Sequence, residues 1–215
     1  LSLGISYELA QQFRIKANLS ILGAKGDDKK NDREDYRQRN LNFKTTVWEL
    51  AFLGELDLLN SEKHKVIPYI FAGPGIYHFN PTTVDRNGKK VDLHDIGTEG
   101  QLLPGGAYDD HKYNLTQLNL QVGGGVRYMV NDGFSLGLDL SFRKLFTDYL
   151  DDISGPDYPS PAEFIAAGQT EAAQLAFRGD EIGYTYDQLK YRPRGNPDNK
   201  DLYYSFQVTA AFLLR

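Results

Sequence analysis

Asp148, Asp151 and Asp152, with Asp157 just beyond Gly155-Pro156, form the densest run of possible ligands in the chain. Clustered carboxylates suit a hard cation such as calcium, which takes about six to eight oxygen ligands. The plain alternative is the solvated acidic end of a β-strand, and the lack of a regular ligand spacing favours it. Asp148, Asp151 and Asp152 therefore stand only as weak metal candidates. The acidic run over 27–35 fails as an EF-hand because the position that needs glycine holds Asp32. His64, His78, His94 and His111 make no closely spaced pair, which argues against a histidine metal site. His78 beside a serine would suit a lipid hydrolase, but Gly-x-Ser-x-Gly is missing, and a histidine in an aromatic belt or a barrel lumen is the simpler reading. Gly123-Gly124-Gly125 lacks the Lys-Ser or Lys-Thr of a phosphate loop, so small residues that let a narrow barrel close explain it. No catalytic residue, cofactor or firm metal site is expected, and the chain reads as a non-enzyme.

The chemistry-bearing residues must be held by something, and the composition limits what. A chain of 215 residues with 40% hydrophobic residues and a net charge of −5 fits one large β domain, taken as 1–215. The acidic balance argues against a nucleic-acid partner, since phosphate binding wants a basic face. With no cysteine, disulfides and thiolate chemistry are excluded. The opening on Leu1 within an alternating pattern, with no initiator methionine or signal peptide, suggests a mature or trimmed product. No stretch supplies the roughly 18 apolar residues of a membrane helix. The uncharged run Val66–Val84 comes nearest, but Pro68, Pro74 and Pro81 and its alternation make it a strand. Fourteen tyrosines and twelve phenylalanines against one tryptophan suit a β protein with aromatic belts.

The clearest element is a long hairpin over 113–152. Leu118, Leu120, Val122, Gly124, Val126, Tyr128 and Val130 share one face of its first arm, and Phe134, Leu136, Leu138, Leu140 and Phe142 repeat that face in the second. Asp132-Gly133 is expected to supply the positive φ angles of a tight turn. Each arm reaches the roughly 9–11 residues of a membrane-crossing strand. Similar runs begin at Leu1 and Phe13, surround Trp48, span Tyr69 to Phe79 with prolines that suggest an edge strand, and finish the chain through Tyr204, Phe206, Val208, Ala210, Phe212 and Leu214. Connections alternate between short ones at 10–12, 60–64 and 131–133 and long ones at 25–40, 80–112 and 150–200. The 25–40 segment reads as a flexible charged loop too polar to be buried. Ser160-Pro161-Ala162-Glu163 reads as a capping box that opens a helix running to about Phe177.

This pattern predicts an all-β fold, an antiparallel up-and-down transmembrane β-barrel with tight periplasmic turns and long external loops. Seven strands are visible, and an even-numbered closed barrel leads to the expectation of an eighth before Leu1, with both termini periplasmic. A soluble lipocalin-like barrel has the same period with its apolar face inside. Strand length and loop asymmetry favour the membrane, with Tyr7, Trp48, Tyr69, Tyr77, Phe79, Tyr128, Phe134 and Tyr204 facing lipid or forming its aromatic belt. The other faces carry Glu8, Arg14, Lys16, Glu49, Glu55, Asp57, Arg127, Asp139 and Arg143, a charge network expected to line the lumen. Eight strands leave room for side chains only, so a wide pore is not expected and function falls to the loops, the turn rim or a partner surface.

Several segments carry a resemblance. RNLNFKTTVWELAF from Arg39, PYIFAGPGIYHFNP from Pro68, GTEGQ from Gly97, RKLFTDYLDDIS from Arg143 and RGNPDNKDLYYSF from Arg194 are similar to the PorG-type outer-membrane barrels of Bacteroidota, with DYLDD the most specific. The resemblance implies an outer-membrane component of the type IX protein secretion system in a Gram-negative bacterium. It also implies periplasmic ring proteins of the PorK and PorN type as partners beside the lipid bilayer. Members of that family usually begin with a strand before the segment equivalent to Leu1, and the stretch 156–187 has no clear counterpart in them. A surface barrel that recognises a ligand or glycan through its long loops is the alternative, and an outer-membrane lipid hydrolase ranks below both.

Overall fold

A computed structural model describes residues 1–198 and 200–212; Leu214 of the last apolar face lies outside them. The strands are β1 (Ser2–Ala10), β2 (Phe13–Asp27), β3 (Asn42–Asp57), β4 (Val66–Val84), β5 (Lys90–Asp92), β6 (Thr116–Asn131), β7 (Phe134–Leu145) and β8 (Leu202–Phe212). They form one antiparallel meander in the order β1-β2-β3-β4-β6-β7-β8, with the short β5 folded back on the end of β4. The sheet curls into a half-barrel. Seven alternating strands leave β1 and β8 pointing the same way, and the two do not pair. Leu22 and Ala24 of β2 and Tyr203 of β8 nevertheless pack on one shared apolar cluster. At that level the curl brings the two ends of the sheet together.

Period-two alternation sets the two faces. Outward stand Trp48, Leu50 and Phe52 on β3, Leu118, Leu120 and Val122 on β6, and Leu136, Leu138 and Leu140 on β7, all exposed. Inward stand Glu49, Glu55, Asp57, Asn119, Gln121, Asp139 and Arg143, all buried. An apolar exterior around a charged interior is the reverse of a soluble barrel. Tyr7, Trp48, Tyr128 and Tyr204 face outward as expected, and Phe134 is half-buried against Phe212, with ring centroids 4.8 Å apart.

The fourth strand departs from expectation in two ways. Tyr69, Tyr77 and Phe79, assigned to the outer belt, point inward and are buried, as is Phe71, while Val66, Ile70 and Ile76 are exposed. This strand has bulk on both faces, so alternation alone could not set its phase; the neighbour did. Tyr69 pairs with Gly125 and Phe71 with Gly123, and those glycines leave the space the rings fill. A Cβ on Gly125 would lie 2.7 Å from the Tyr69 ring and 2.6 Å from the Leu138 carbonyl. Gly125→Val should therefore destabilise the sheet by about 1–3 kcal/mol. Gly124→Val, whose Cβ would meet only the Tyr69 carbonyl at 3.1 Å and Ile70 at 3.7 Å, should cost clearly less. Urea midpoints of the two variants check this. The second departure is that β4 is no edge strand, being paired with both β3 and β6. Its ladder to β3 breaks between Ala51–Gly75 and Gly54–Ala72, where Pro74 has no N–H to give.

The connections differ too. At 131–133 neither Asp132 nor Gly133 takes a positive φ. The turn is held by the Gly133 N–H donating to Asn131 Oδ1 at 2.8 Å, next to a register shift between Met129 and Asn131. The 25–40 segment is ordered rather than loose: β2 runs on to Asp27, α1 (Glu34–Arg39) follows, and Asp28, Gln38, Arg39 and Asn40 are buried. The 80–112 connection holds the rest of β4, then β5 and α2 (Leu93–Ile96). Along 150–200 lie α3 (Pro161–Ala166), α4 (Thr170–Ala176) and α5 (Tyr186–Leu189). Pro161 opens α3 as expected, but the Ser160 side chain makes no capping bond, and Gly168 at φ +75° splits the expected single helix into two. The capping box that does form joins Thr185 and Gln188 at α5. Phe164, Ala172, Ala173 and Ala176 pack on Ile96 and Leu103, which joins the last two connections into one cap over the barrel mouth.

Candidate functional site

Two polar assemblies hold the charged residues, one in the lumen and one in the cap. Near the turn end of the lumen, Glu55 is 1% exposed among three cations: Arg14 at 3.5 Å, Lys16 at 3.2 Å, and Arg127 in a close ion pair. Asp57 holds Arg14 at 3.1 Å and Arg127 at 3.0 Å. Glu8 joins only at the rim, 3.5 Å from Arg14 and half exposed. Strands β1, β2, β3 and β6 supply these groups from inward positions, so the ion pairs span the curl of the sheet. Higher up, Arg143 Nε donates to both Glu49 oxygens at 2.9 Å, and its Nη1 donates to Ser141 and Ser205 Oγ at 2.8 Å each. Asn119 adds a bond to Glu49 at 2.6 Å, and Asp139 accepts from the Tyr69 hydroxyl. All the sequence-predicted lumen charges thus face inward. Asn119 and Ser205 were missed and Tyr69 was assigned to the outer belt, since uncharged inward residues carry no signal until the register is known.

The cap assembly draws on four distant segments. Glu99, fully buried, pairs with Arg194 and accepts the backbone N–H groups of Ser154 at 3.1 Å and Gly155 at 2.9 Å. Arg194 Nη2 donates to Thr98 Oγ1 at 3.1 Å, and Thr98 donates to Asp152 Oδ2 at 2.6 Å. Tyr113 donates to the other Asp152 oxygen at 2.6 Å. Arg39 clasps Asp28 with bonds of 2.7 and 2.9 Å and donates to the Arg194 carbonyl. Asn40, at φ +59°, donates to the Arg178 carbonyl at 2.8 Å. Residues from RNLNF, GTEGQ, DYLDDIS and RGNP, which lie far apart in the chain, therefore meet in one buried network.

Among the described residues no three histidine, cysteine, aspartate or glutamate side chains converge as a metal site would need. Asp152 gives its oxygens to two hydroxyls, and Asp151 Oδ1 accepts the Ile153 N–H at 3.1 Å. Burial pushes Asp152 up to about 6, Asp148 up to about 7 and Asp151 up to about 8, with the Asp201 charge adding to the last two. Asp201 is itself raised by burial. His78 lies exposed on the outer face, its Nδ1 3.0 Å from the Thr116 hydroxyl, and His111 Nδ1 lies 2.9 Å from the Glu99 carbonyl.

The fold and these two assemblies define a class: an all-β, barrel-type protein with an apolar exterior, an ion-paired interior and a cap of ordered connections. No family model matches the chain, and no curated protein or solved structure does either.

Proposed function

We propose that this chain is an outer-membrane β-barrel component of the type IX secretion system, a non-enzymatic anchor that positions the periplasmic PorK/PorN-type ring. The observation that carries the membrane part is the inverted polarity, a continuous band of exposed Leu, Val, Ile and aromatic side chains around a buried charge network. So large an apolar surface marks a membrane or partner contact. The secretion role rests on the resemblance, whose segments meet in the cap. One further strand, antiparallel to both β1 and β8, completes an eight-stranded barrel and covers edges that lipid would leave unpaired at several kcal/mol per group.

Leu138, half exposed at the middle of β7, separates the membrane reading from a soluble one. Leu138→Arg should cost roughly 2–4 kcal/mol if this face meets the bilayer core. On a water-exposed surface it should stay within about 0.5 kcal/mol. Urea titration of protein folded into liposomes measures the difference. The partner is tested by photo-crosslinking from Ser61 and Asp132, in the short turns. Adducts with ring proteins are expected, whereas adducts formed only from the cap would favour a surface receptor.

A further inference from the structure

Asp201 ties the two ends of the 150–200 excursion together. The Leu145 N–H donates to its carbonyl at 3.0 Å, its own N–H donates to the Thr147 carbonyl at 3.1 Å, and its Oδ2 accepts the Leu150 N–H at 3.0 Å. The last bond sets its carboxyl against the turn that carries Asp148 and Asp151. None of these three carboxyls has a cation within ion-pair distance among the described residues, because the nearby cations are engaged elsewhere. Arg39 is on Asp28, Arg194 on Glu99 and Arg178 on Glu181, while Lys144 and Lys200 reach the Lys200 and Pro197 carbonyls. Beside Asp151 lies a cavity of about 10 Å³, lined also by Thr98, Asp152, Arg178 and Arg194, and the Nε of the buried Arg194 has no hydrogen-bond partner among the described residues. That volume suits a single water with polar neighbours.

We propose that the root of the cap is a proton-operated latch: the cap stays packed on the barrel mouth while Asp148 and Asp151 hold protons beside Asp201, and loosens as they ionise. Carboxyls withdrawn from water with no ion-pair partner are costly as anions, and protonation removes the cost. Asp152 and Glu99, the remaining acids facing the group, are satisfied by hydroxyls, backbone N–H groups and Arg194 and stay outside the latch. The folded-state values lie above the ordinary aspartate value of about 4. The packed cap thus binds protons that the loosened cap releases, so packing is favoured at low pH. The advantage is lost as pH rises through about 7 to about 8.

Hydrogen exchange of the full chain in detergent micelles at pH 6 and pH 9, corrected for the intrinsic pH dependence of exchange, tests the latch. Amides of 148–201 should lose tenfold or more protection at pH 9 relative to those of β3 and β6. Asp151→Asn and, as a second variant, Asp148→Asn should each blunt that loss. Equal cap protection at both pH values would overturn the proposal, as would an undiminished loss in both variants or a loss shared equally by the strands.

Discussion

Arg194→Met opens the cap while leaving the strands folded. Arg194 is 2% exposed and Glu99 is fully buried, so the substitution leaves a carboxylate in the interior with two backbone N–H donors and no cation. Breaking one side of a buried pair costs about 3–5 kcal/mol because the stranded charge keeps its desolvation penalty. The loss spreads, since Arg194 also holds the Thr98 hydroxyl that holds Asp152. Protease sites along 150–200 should therefore be cut far faster in the variant, while heat-modifiable migration of the strand region persists. Arg194→Met combined with Glu99→Gln should recover most of the protection, because the double change removes the uncompensated charge. A single variant as resistant as the parent would mean that this pair does not hold the cap.

The strands were legible because inside and outside differ in chemistry along most of them. Leu118 to Val130 and Phe134 to Phe142 alternate cleanly, and their phases in the structure follow from the sequence. On β4 the signal fails: Tyr69 and Ile70 are both apolar enough for either face, and the choice falls to Gly123 and Gly125, about fifty residues away and reachable only through the register. The cap was illegible for a related reason. Arg39 and Asp28 look like loop charges until burial forces them together, and Glu99 and Arg194 are 95 residues apart. A polar composition says that a segment need not be buried, yet paired charges with shared hydrogen bonds can be. The helix from Ser160 was half legible, since proline at its first position acts locally whereas Gly168 ended it at φ +75°.

Glu55→Ala should cost about 3–5 kcal/mol, the largest loss expected from any single lumen substitution. Glu55 is the only carboxylate paired with Lys16 among the described residues and shares Arg14 and Arg127 with Asp57. Without it, three cations face one buried acid, and Lys16 is left against the Tyr69 and Phe71 rings, whose centroids lie 5.9 and 5.5 Å away. Those rings soften the penalty but supply no full counter-charge. Urea midpoints in liposomes should fall sharply for Glu55→Ala and partly recover when Lys16→Met is added, since the second change removes the stranded ammonium. Glu8→Ala provides the contrast. Its carboxylate is half exposed and, among the described residues, pairs only with Arg14, so its loss should change stability by no more than about 1 kcal/mol. If Glu8→Ala and Glu55→Ala shifted the midpoint equally, the interior would be open to solvent at both levels, and the ion pairs could not be what holds β2, β3 and β6 in their curl.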